Sequence, residues 1–138
     1  MKYMILVYAS QQDFDGMAGK AGEKPAWSGA EVSAMAEFME KFSKDLADSG
    51  ELIDTQGLAA PVHTRRIEGE SGKTIMTDGP YAESQEVLAG YWIVDCASFD
   101  RATEIAGRLS LCPRPHWLEG REKVDVRPIV DSRAELGF

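Results

Sequence analysis

The chain has 138 residues, 43% apolar and 28% charged, and its 15 lysines and arginines against 23 aspartates and glutamates leave a net charge of −8. That length suits one domain spanning residues 1–138, with roughly two thirds of the unfolded chain's surface removed from water on folding. No apolar run approaches the roughly 20 residues of a membrane helix, and so acidic a chain repels phosphate backbones. Neither a membrane nor nucleic acid is therefore an expected partner.

The opening "MKYMILVYAS" has too short an apolar part for an export signal and no small-residue cleavage site, so a cytoplasmic location is expected. Cys96 and Cys112 read as reduced thiols, and their spacing suggests no zinc site. From Lys2 to Ala9 both alternating sets are apolar, as in a strand covered on both faces. Residues 10–27, "SQQDFDGMAGKAGEKPAW", contain three glycines, a proline and no period, and read as a long loop, either a mobile flap or a plain insert.

Ser28 and Glu31 then form a capping box, and Val32, Met35, Met39, Phe42 and Leu46 make one apolar stripe. These signals predict a helix from about Gly29 to Ser49, stopped by Gly50. A strand follows over Leu52–Leu58. Next, "HTRRIEG" and "KTIMTDG" flank the turn "ESG" as an inserted hairpin over residues 63–77. Leu88–Ala97 is a second strand apolar on both faces, Ser98 caps a short helix over about Phe99–Leu109, and "KVDVRPI" alternates like an edge strand.

Without the hairpin this order is βαββαβ, the ferredoxin-like α+β fold: a four-stranded antiparallel sheet with two helices on one face. Its two central strands are then the two that are apolar on both sides. The sheet face without helices is too apolar for water, so the pattern predicts a homodimer closed through that face into a dimeric α+β barrel. Pairing would leave a cavity near the sheet, the loop after Ser10 and the motif described next, suited to a small-molecule ligand.

Between hairpin and second central strand lies "TDGPYAESQE". Asp78, Gly79, Pro80 and Tyr81 are explained as a tight turn; the acidic cluster that continues through Glu83 and Glu86 is not. A carboxylate at a cavity rim can have its pKa raised into a useful range, which makes Asp78 the leading candidate for a general acid or base. Gly79, Pro80, Tyr81 and Glu83 are then the ligand-binding candidates. His63 and His116 are the remaining acid–base candidates, since an imidazole titrates near neutrality. Three separate loops would have to converge to make a metal site of His63, His116 and Asp78, so no metal is expected.

The stretch "TDGPYAESQEVLAGYWIVD" resembles the signature of the DGPF branch of the YCII-related family, with Tyr81, Ser84 and Gln85 standing for its usual Phe, Thr and Lys. "MKYMILVY", "GLAAP", "GYWIVD" and "VDVRPI" extend the likeness over nearly the whole chain. The resemblance implies a dimeric α+β barrel. It supplies no activity: family members are largely uncharacterised, DGPF members are often encoded beside extracytoplasmic-function sigma factors, and wider relatives include isomerases, dehydrochlorinases and monooxygenases acting on small ring compounds. Smaller YCII-type members are thought to use a His and Asp pair, but the long helix here has no histidine, which leaves only Asp48.

Two functions follow as expectations. One is a cofactor-independent isomerase or lyase that moves a proton on a small organic molecule with a carboxylate general acid or base. The alternative is a non-catalytic ligand-binding or regulatory protein linked to sigma-factor signalling.

Overall fold

The structure, a computed structural model, describes residues 1–118 and 122–137. Strands β1 (Lys2–Ala9), β2 (Leu52–Gly57), β5 (Val87–Asp95) and β6 (Val124–Pro128) form one sheet in the order β2-β5-β1-β6. Every neighbouring pair is antiparallel. Helices α2 (Gly29–Asp48) and α3 (Phe99–Gly107) supply the crossovers, and β3 (Arg65–Glu70) and β4 (Lys73–Asp78) form a separate hairpin. This is the ferredoxin-like arrangement that the element order predicts.

Alternation within the strands divides the sheet into two faces. Tyr3, Ile5, Trp92, Val94 and Cys96 point under the helices and pack with Phe42 and Leu46 of α2 and with Ala102, Ile105, Ala106 and Leu109 of the α3 region. Phe42 meets Trp92 edge to face with ring centroids 5.2 Å apart, and the Trp92 indole N–H donates to Ser43 Oγ at 3.0 Å. The opposite face carries Met4, Leu6, Tyr91 and Ile93, with Asp54, Asp125 and Arg127 paired beside them on the outer strands.

Helix α2 starts at the expected capping box: Ser28 Oγ accepts from Glu31 N–H at 3.1 Å, and the Glu31 carboxylate accepts from Ser28 N–H at 2.9 Å. Ser98 caps α3 through Arg101 N–H at 3.1 Å. Glu51 and Arg101 then join the two crossovers by a bidentate contact, with Nε and Nη2 at 2.9 and 2.8 Å from the carboxylate oxygens. α3 ends at Gly107 and its last expected turn is a 3₁₀ turn over Arg108–Leu111.

Residues 10–27 depart from the expected loop. Gln11–Met17 form a helix, α1, because Ser10 and Asp13 make a reciprocal capping box with aspartate in the usual glutamate position. Gly16, a breaker by sequence, is where Trp27 packs: a Cβ there would lie 3.3 Å from the Trp27 ring, and Trp27 N–H donates to Gly16 O at 3.0 Å. Close approach, not looseness, therefore accounts for this glycine.

Candidate functional site

A cavity of about 320 Å³ opens where the apolar core runs out. Its floor is Val7 and Val124, at the ends of two paired strands, and one wall is Met35 and Met39 of α2. These two methionines continue the Phe42 and Leu46 stripe toward the helix start, where α2 is only partly buried. α1 and the segment after it contribute Asp13, Met17, Lys24 and Trp27; the segment following α3 contributes Leu109, Cys112 and Arg114. The cavity is thus mainly apolar, with charged groups added by its surrounding segments, the usual form of a small-molecule site.

A break in the pairing of β1 with β5, between Val7 and Tyr8, brings Tyr8 to the cavity edge. Its hydroxyl donates to Asp125 Oδ2 at 2.7 Å, and that bond, with some burial, raises the phenol above its ordinary pKa. The Lys123 ammonium lies 5.3 Å from the Tyr8 ring centroid and 3.7 Å from Glu86. Arg114 is fixed by its own neighbourhood: Nε and Nη2 donate to Cys112 O at 3.1 and 2.9 Å, Nη2 also reaches Ser110 O at 3.2 Å, and Nη1 pairs with Glu122. Burial pushes the Cys112 thiol upward, only partly opposed by the nearby Arg114 charge, so it is a protonated apolar lining group at neutral pH. Both cysteines are free.

The residues predicted from sequence lie elsewhere. Asp78, at the end of β4, is exposed and accepts from Arg65 Nε at 2.7 Å. Gly79 follows with φ +57°, and its N–H donates to Thr64 O at 2.8 Å, closing the chain back on the hairpin. Pro80 is half-buried, and Tyr81 is half-buried beneath the Arg66 guanidinium at 5.2 Å. Glu83 is exposed, but its carbonyl accepts from Gln12 N–H at 3.1 Å and so anchors α1. His63 and His116 are exposed residues of two 3₁₀ turns, Pro61–His63 and His116–Leu118. None of these residues lines the cavity; from the acidic cluster, Glu86 does.

Sequence reasoning missed Tyr8, Asp13, Lys24, Trp27 and Arg114. Ser10 and Asp13 alone carried a readable signal, the capping box. The cavity lies on the helix side of the sheet within one chain and is lined by the segment after Ser10, as the expected one was, but it needs no second copy to form. Among the described residues no three His, Cys, Asp or Glu side chains are grouped to hold a metal ion, and no helix is long and apolar enough to cross a membrane.

An uncharacterized protein of Rhizobium meliloti (strain 1021) is 32% identical over 85 residues, 62% of this chain and 68% of that protein. The family model of the YCII-related domain matches residues 1–128, all six strands and three helices included. On that match, the chain belongs to the YCII-related domain family.

Proposed function

We propose that this protein binds one small organic molecule in the cavity between α1, α2 and the end of β1. One observation carries the reading: an opening of about 320 Å³, within the range of small-molecule sites, has apolar walls from several elements and charged groups held in fixed places around them. The test is thermal melting with small lactones, phenols, quinones and carboxylic acids, on wild type and on Ala89→Phe, which puts a ring into the lining. A true ligand raises the melting temperature of wild type by mass action and not that of the filled variant. Equal stabilisation of both, or none of either, overturns the reading.

A second reading, an isomerase or lyase that moves a proton with side chains alone, is favoured by the Asp13 and Glu86 carboxylates in the lining. Binding is the better supported, because Asp13 holds the start of α1 and Glu86 pairs with Lys123. Asp78 would enter the chemistry only if a second copy brought it to the cavity. Deuterium from solvent appearing in a recovered ligand decides for chemistry; a ligand returned unlabelled decides for binding.

The reading includes a homodimer of the DGPF type, supported by the apolar centre of the sheet face that carries Met4, Leu6, Tyr91 and Ile93. Light scattering gives twice the chain mass if that holds, and Ile93→Glu returns it to the monomer. A wild-type monomer at high concentration refutes it.

A further inference from the structure

The charged groups of the cavity fall into satisfied sets with one left over. Arg114 pairs with Glu122, and Lys123 with Glu86. The Asp13 carboxylate already accepts Ser10 N–H at 2.9 Å as part of the α1 cap. Lys24 lines the same cavity and is only partly exposed, yet its ammonium has no carboxylate, carbonyl or ring partner. Among the described residues it is the one lysine or arginine that is both withdrawn from solvent and without such a partner. Lys2, Arg101, Arg108 and Arg114, the others that are not exposed, each face a carboxylate.

An ammonium that lines an apolar cavity with no acceptor from the chain keeps its donors open to a bound anion. This chain has eight more carboxylates than lysines and arginines together, so a counter-ion was readily available and is not there. The geometry points to the ligand as that counter-ion: a monocarboxylic acid whose carboxylate meets Lys24 while its apolar body lies against Trp27, Met35, Met39 and Leu109. The inference rests on the cavity being a ligand site, and it adds the class of ligand. A cationic ligand fits less well, because each cavity carboxylate already has a donor that it would have to displace.

The test uses benzoate, phenylacetate and cyclohexanecarboxylate, each beside its primary amide, titrated calorimetrically into the full chain. The amide keeps the shape and removes the charge. In wild type at least one acid binds about tenfold more tightly than its amide, the scale of a hydrogen bond to a charged group. Lys24→Gln removes that preference while leaving amide affinity within about twofold, and Lys24→Arg retains it. An acid-to-amide ratio near one in wild type for all three pairs, or a preference that survives Lys24→Gln, overturns the inference and leaves the cavity reading standing. If no acid and no amide binds wild type, both fall for ligands of this size.

Discussion

Replacing Glu51 with glutamine cuts the clamp between the end of α2 and α3 while keeping the side chain's shape. The Glu51 carboxylate accepts from Arg101 Nε and Nη2 and from Ser49 Oγ at 2.9, 2.8 and 2.9 Å. A hydrogen bond to a charged group is worth about 1.5–3 kcal/mol when sheltered. Glu51 is sheltered, its side chain 16% exposed, but Arg101 is 38% exposed and water screens its half of the contact. We therefore expect a loss of about 2 kcal/mol for the pair. With an unfolding entropy of about 0.3 kcal/mol per kelvin for a chain this long, that lowers the melting temperature by about 7 °C at fixed protein concentration.

The loss also has a pH signature. The Arg101 hydrogen bonds hold the Glu51 carboxyl below the usual glutamate range, so its contribution is fully present above the unfolded value of about 4.3 and disappears as pH falls through the lower folded value. Arg101 is raised further and stays charged throughout. Calorimetric melts of wild type and Glu51→Gln from neutral pH down into the acid range should thus converge at the acid end. A neutral-pH difference under about 2 °C, or one that persists unchanged in acid, refutes this account of the clamp.

Three further outcomes follow from burial and exposure. Ile105→Ala, at a site with 0% exposure in the last turn of α3, should cost about 3 kcal/mol and lower the melting temperature by about 10 °C by calorimetry. Ser28→Ala removes one half of the α2 capping box and should cost about 1 kcal/mol by urea denaturation. Asp78→Asn breaks an ion pair whose side chains are 61% and 73% exposed, so stability should change by less than about 0.5 kcal/mol. If Asp78→Asn abolishes binding of a cavity ligand without moving the melt, Asp78 reaches the ligand after all.

The framework was readable because each element carried its own local signal. Ser28 and Ser98 mark the helix starts, and the doubly apolar β1 and β5 could only be the two inner strands of the sheet. α1 was hidden because its capping aspartate is an uncommon substitute and Gly16 counts against a helix until Trp27 is seen resting on it. The cavity was hidden for a deeper reason. Its lining comes from six stretches of chain, and the α2 stripe that builds one wall has the same period throughout. Phe42 and Leu46 are buried, while Met35 and Met39 border open space. Periodicity reports which way a side chain points; it does not report whether anything stands opposite.

The acidic motif between hairpin and sheet therefore has a different physical character from the one its composition suggests. Asp78 and Tyr81 are occupied by Arg65 and Arg66 of the hairpin, and Gly79 turns the chain back on Thr64. Beyond that turn the backbone, rather than the carboxylates, makes the main contact: Glu83 O holds the first turn of α1, while Gln11 Oε1 accepts Val62 N–H at 2.9 Å from the turn before the hairpin. α1 is thus pinned from both sides of the hairpin, and α1 with its following segment carries Asp13, Lys24 and Trp27 to the cavity. A side-chain substitution in the motif leaves these backbone contacts in place, whereas shortening the connection between Tyr81 and Glu86 would displace α1. If the cavity binds a ligand as proposed, the motif acts on it by positioning its wall, and a change in chain length should alter ligand affinity more than a change in charge.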